Sequence, residues 1–172
     1  GFPALAAALR HGARLGGVIT LDSPIRPLEM PEEGPPERSK PNRIYPTLED
    51  ALARFRLAPP QSCDALYLID HIARGSVKAV DGGYTWRFDP FLWSHLRGEA
   101  MNPDPRQAQC RLGVRWGAQS VLCTPAVIAH MRQAFPAGTP FAPLDGAAHH
   151  LMMDQPQAFI AALRAMLEGF AP

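Results

Sequence analysis

Two adjacent histidines stand in the stretch Pro143-Leu-Asp-Gly-Ala-Ala-His149-His-Leu-Met-Met-Asp-Gln-Pro156. The pattern is a short strand ending at Leu144, a turn of small residues, and an amphipathic helix opening at Pro156. An imidazole in that turn sits at the carboxyl edge of a sheet, where open α/β folds bind their ligands. A histidine so placed can take the proton of a nucleophile, provided that an acid fixes its tautomer and stabilises its cation. The run Gly16-Gly-Val-Ile-Thr-Leu-Asp22 delivers an aspartate at a second strand end. Plainer readings compete: His149 and His150 as hydrogen-bonded turn residues, and Asp22 capping its own turn at Ser23-Pro24. On residue type and spacing alone, both stay open. Asp154 suits a cap for the helix at Pro156. His149, His150 and Asp154 make a poor metal set, because adjacent turn histidines do not aim at one ion and no H-x-x-x-H helix pair accompanies them. Cys63, Cys110 and Cys123 are odd in number and lack C-x-x-C spacing, which argues against a disulfide framework or a cysteine zinc site. A reducing, cytoplasmic compartment is therefore expected.

The elements that must hold these groups follow from patterning. A chain of 172 residues, 47% hydrophobic, is long enough to bury one core. A net charge of +1 with interspersed signs leaves no footprint for nucleic acid or an anionic membrane. No apolar run approaches the roughly 20 residues that span a bilayer. Pro3 and the alanine-rich sequence to Arg10 predict a helix ended by Gly12. The apolar run from Gly16 to Leu21, bounded by glycine and Pro24, suits a strand buried on both faces of a parallel sheet. From Arg26 to Pro46, six prolines interrupt regular structure. Thr47-Leu-Glu-Asp50 resembles a capping box opening a short helix to about Phe55. Ser62 is expected to cap a second helix, with Ala65, Ile69, Ile72 and Ala73 on one face and Gly75 at its end. Residues 76–80 and 84–88 read as a hairpin around Asp81-Gly-Gly83, and a further helix is expected after Pro90. Tyr84, Trp86, Phe88 and Trp93 serve best as the core of this insertion. Alternation resumes with a strand at 110–117, a helix at 124–135, a strand at 139–144, and a terminal helix whose Phe159, Leu163, Met166 and Leu167 should dock on the sheet. This order is that of a doubly wound α/β fold.

The spacing from His149 to Pro156 resembles the segment carrying the catalytic histidine of the α/β-hydrolase superfamily, H-x-x-x-x-D/E-x-P, with Ala148 where a glycine is common. The opening helix and Gly17-Val-Ile-Thr-Leu-Asp-Ser-Pro-Ile25 resemble the helix after that family's nucleophile elbow and its next strand. The likeness covers nearly the whole chain and is strongest at residues 1–25 and 110–172. It implies a partial α/β-hydrolase fold, with core segments at 1–25 and 105–172 and a mostly helical cap at 26–104, laid over the carboxyl edge of the strands. It also implies a nucleophile upstream of Gly1, which would end or nearly end a G-x-S-x-G-(G) elbow. The 172 residues alone are then expected to be inactive, and to aggregate through an unpaired edge at Val18 to Leu21.

The family's acid commonly stands in the loop that here reads Gly117-Ala-Gln-Ser120, where a serine replaces the carboxylate. An alternative family arrangement puts it at the position matching Asp22. Asp22 is therefore favoured as the acid, with Ser120 a bystander. The implied function is esterase-like hydrolysis of an ester or similar small apolar substrate through a nucleophile, His149 and Asp22. Trp86, Trp93 and His150 are weaker candidates for substrate contact. No cofactor, metal, nucleic-acid or membrane partner is expected. The rival is a non-catalytic relative that binds a small ligand or a partner protein, prompted by Ser120 at the usual acid position. Substrate identity does not follow from a fold.

Overall fold

The computed structural model describes residues 1–27, 30, 38, 40–92 and 103–170. In chain order the elements begin with helix α1 (Phe2–His11) and strand β1 (Gly17–Leu21), then helices α2 (Leu48–Leu52) and α3 (Leu66–Gly75) and strands β2 (Val77–Val80) and β3 (Gly83–Trp86). Strand β4 (Arg111–Gly117), helix α4 (Pro125–Ala134), strand β5 (Phe141–Leu144) and helices α5 (Leu151–Asp154) and α6 (Pro156–Glu168) follow, with short 3-10 turns at Gly12–Arg14 and Pro105–Gln107. The chain separates into two compact units, Gly1–Glu32 with Gly98–Pro172, and Glu33–Arg97.

The first unit is built on a parallel sheet of order β1-β4-β5. Side chains alternate along a strand, so Leu112 and Val114 of β4 face one side. There they join Leu5 and Ala8 of α1 and Val127, Ile128 and Met131 of α4 in one buried cluster. Gly113 faces the other side, where a Cβ would stand 2.7 Å from the Met166 Sδ of α6. Helices therefore cover both faces, as the double winding requires. Ile25 is buried in the α1/α4 cluster and Met30 packs against it, so the chain stays with this unit beyond the end of β1.

Three local expectations change here. The docking stripe of α6 is Phe159, Ala162 and Met166, with Leu167 51% exposed. Spacings of three and four both fit a helical face, and the structure uses three before four. The short helix α5 precedes Pro156 and buries Leu151 and Met153. Asp154 does not cap α6, which has no side-chain cap; its Oδ2 instead accepts the Ala148 amide at 2.7 Å.

In the second unit Thr47 caps α2, its Oγ1 accepting the Asp50 amide at 3.1 Å, and the helix stops at Leu52, short of Phe55. Ser62 is not a cap: α3 starts at Leu66 with Ala65 before it and no side-chain cap. The expected hairpin forms, but its turn is Asp81-Gly82 alone: Gly83, expected in the turn, pairs with Val80, Val77 pairs with Trp86, and β3 ends there, short of Phe88. Tyr45 bridges Tyr84 on the other edge of β3. The helix expected after Pro90, and Trp93 with it, lie outside the described residues. Among the described residues no helix is long and apolar enough to cross a membrane.

Candidate active site

Parallel pairing sets Leu21 opposite Arg115 and Gly117 opposite Leu144, so β1, β4 and β5 all end on one edge. The loops leaving that edge carry Asp22, Gly117 to Ser120, and His149. Asp22 extends the ladder through its amide, which donates to Arg115 O at 2.8 Å. Its backbone then takes φ +45°, a conformation few side chains adopt and aspartate tolerates better than most. Such strain persists where the surroundings over-determine it, and here they do. The carboxylate is fully buried, with Oδ1 accepting the Gly117 amide at 2.9 Å and Oδ2 accepting the Ser120 hydroxyl at 2.6 Å. The same Oδ2 lies 2.8 Å from His149 Nδ1. These bonds offset the cost of removing a carboxylate from water.

The histidine loop is tied down on several sides. Ala118 and Gln119 donate their amides to Leu144 O at 3.0 Å and Ala147 O at 2.9 Å, locking the β4 loop to the β5 loop. The approach is so close that a Cβ on Gly117 would meet Ala148 O at 2.0 Å. Asp154 holds Ala148 from below the turn, and Gln155 Nε2 donates to Gly146 O at 3.2 Å. His149 keeps 25% of its side chain exposed while Asp22 keeps none. With Nδ1 engaged, Nε2 is the nitrogen left for chemistry. The His150 ring meets that of His149 edge to face, 4.7 Å between centroids.

Asp22 and His149 are thus brought together, and the carboxylate does not cap its own turn; Ser23 Oγ donates to Leu21 O instead. Ser120 is no bystander, because it hydrogen-bonds the oxygen that His149 uses. Its place in a small polar loop after a strand was visible, but not the partner of its proton. Gly117 acts through a backbone amide, which side-chain chemistry could not single out. Trp86 belongs to the second unit, its ring centroid 6.2 Å from those of Tyr45 and Phe55. Burial and the nearby Asp22 carboxylate push the Cys123 thiol up, away from the thiolate that a nucleophile needs. Burial also raises Cys110. Among the described residues no group of three or more His, Cys, Asp or Glu is placed to hold a metal ion.

No family model and no curated protein sequence matches the chain. Solved structures do. An esterase from Mycobacterium tuberculosis superposes on 98% of this chain and 57% of its own, at TM-score 0.73 and 17% identity. The thioesterase domain from the curacin biosynthetic pathway matches 96% of this chain and 62% of its own, at 0.64 and 18%. A peroxisomal α/β-hydrolase from Saccharomyces cerevisiae matches 99% and 51%, at 0.68 and 11%. The chain spans between half and two thirds of the length of these three structures. Its fold is part of the α/β-hydrolase fold.

Proposed function

We propose that this chain carries the histidine and the acid of an α/β-fold hydrolase that cleaves an ester or similar small apolar substrate, with a nucleophile upstream of Gly1 in a longer protein. The buried contact between Asp22 Oδ2 and His149 Nδ1, at 2.8 Å, carries the reading. A carboxylate only accepts hydrogen bonds, so a neutral imidazole here donates its Nδ1–H and carries its lone pair at Nε2. That tautomer is the one a general base needs. Nε2 takes the nucleophile's proton as the nucleophile bonds to the carbonyl carbon, and Asp22 stabilises the imidazolium. The proton then passes to the departing alkoxide, and water activated by the same nitrogen releases the acid and frees the nucleophile.

The start of α1 supports the placement of the nucleophile. A Cβ at Gly1 would stand 2.1 Å from the Oγ of Ser23, so the chain enters α1 beside the residue that follows Asp22. The packing of the His150 ring against that of His149 supports a role for His150 in substrate contact. The rival reading of a binding protein drew on a serine at the usual acid position; with Asp22 beside His149, that serine no longer supports it.

The test is hydrolysis of 4-nitrophenyl acetate and butyrate by the full-length protein, with covalent labelling by a fluorophosphonate probe. Turnover and labelling are expected in the wild type, and His149→Ala is expected to lower kcat by at least about 10⁴-fold. A folded wild-type protein that neither turns over nor labels would refute the assignment.

A further inference from the structure

We infer that Ser120 is a positioning residue of this site, its hydroxyl holding Asp22 Oδ2 against His149 Nδ1 and moderating how strongly that oxygen draws the imidazole N–H. The inference rests on the triad reading above. A serine hydroxyl has one proton and two lone pairs. Here the amides of Leu122, at 3.1 Å, and Cys123, at 3.2 Å, both donate to Ser120 Oγ. Its proton then has one taker, Asp22 Oδ2 at 2.6 Å. The hydroxyl is fixed in direction by three bonds, and the two amides polarise it into a stronger donor.

The carboxylate is held correspondingly. Gly117 N fixes Oδ1, while Ser120 and His149 divide Oδ2 between them. Without the hydroxyl, two consequences follow together. Oδ2 is left with the imidazole as its chief partner, so the N–H···O bond strengthens. The carboxylate plane loses one of its anchors, so the imidazole is less well aimed. The other titratable or charged groups around the pair do not substitute. The Cys123 thiol reaches Asp22 but is a weak donor, and Arg26 bears on that thiol. His150 packs on the His149 ring, and Asp154 is engaged by Ala148 N.

The experiment uses full-length protein labelled with ¹⁵N-histidine. The His149 Nδ1–H proton resonance is recorded for the wild type, Ser120→Ala, Ser120→Thr and Asp22→Asn, with kcat and KM measured alongside on 4-nitrophenyl acetate. Ser120→Ala is expected to move the resonance downfield and to lower kcat on the order of tenfold, the scale of a hydrogen bond to a charged group, with KM little changed. Ser120→Thr keeps the hydroxyl and is expected to stay near wild type in both. If Ser120→Ala does not fold by circular dichroism, Ser120→Cys keeps the side chain's size with a poor donor and carries the same expectation. An unmoved resonance in the alanine or cysteine variant, or a threonine variant that behaves like alanine, overturns the role of Ser120. If Asp22→Asn also leaves the resonance unmoved, the Asp22–His149 pairing fails with it. If Asp22→Asn moves it and Ser120→Ala does not, only the inference about Ser120 falls.

Discussion

The two units of this chain hold themselves together differently. In the first, Leu5, Met131, Leu151, Val114 and Val127 are among the largest fully buried side chains, and Asp22 stands with them. In the second, the buried hydrophobic residues described are Ala51, Ala73 and Val77, while Leu66 and Tyr67 stand 72% and 69% exposed. Polar ties replace apolar burial there: Asn42 Nδ2 donates to Trp86 O and Phe88 O, Thr85 Oγ1 to Arg43 O, and Arg87 Nε to Val77 O. A dyad that must hold its atoms within tenths of an ångström needs the close-packed kind of support. A hairpin with little core opens at lower cost. The expectation is that the first unit responds to substitution sharply and the second gradually.

The largest effect should come from the acid. Asp22→Asn preserves the fold but offers His149 the wrong partner, and on full-length protein should lower kcat by about 10⁴-fold. Near-wild-type turnover of 4-nitrophenyl acetate by that variant would remove Asp22 from the mechanism. Next comes Gly117→Ala. Its Cβ would meet Ala148 O at 2.0 Å and Ala147 O at 2.4 Å, both backbone atoms that cannot rotate aside. The histidine loop must shift, and a misplacement of about 1 Å costs roughly 10²-fold in kcat/KM. A variant with unchanged kcat/KM would show that the two loops have slack. Third, Met131→Ala empties a fully buried position and should cost about 2–5 kcal/mol by urea denaturation. Tyr67→Ala on α3 should stay within about 0.5 kcal/mol by the same measurement. Equal losses would erase the contrast between the units.

The same contrast decides what was legible in the sequence. Strands β1 and β5 are short, mostly apolar runs and β4 interleaves Arg111 and Arg115 with Leu112, Val114 and Trp116, so their alternation with helices, more than full burial, made them readable. The strand ends then place Asp22 and His149 on one edge by topology alone, before any side-chain distance is known. What stayed hidden depends on rotations and backbone atoms. The φ of +45° at Asp22, the proton of Ser120 and the amide of Gly117 leave no trace in residue type. Asp154 looked like a cap because capping is what an aspartate before proline most often does; the turn claimed it for Ala148 N first. In the second unit, Ser62 failed as a cap because the chain does not turn helical until Leu66, past Pro59 and Pro60. With so few of its apolar residues fully buried, tertiary context rather than periodicity chose that boundary.

The smallest effect tests the second unit by the substitution that should break the first. Gly75 ends α3, its φ is not positive, and a Cβ built on it meets nothing within 4 Å. Alanine there removes conformational freedom from the unfolded chain and meets no obstacle in the folded one. In a helix interior that exchange is worth up to about 1 kcal/mol; at the last position, where Ser76 already caps Ile72 O through both its amide and its hydroxyl, roughly half of that is expected. Gly75→Ala should therefore slow hydrogen exchange at the α3 amides slightly, by about twofold, and leave exchange in β4 unchanged. Faster exchange in α3 would mean that the space beside Gly75 is taken up by a neighbour, and that the second unit is fitted as tightly there as the first is at Gly117.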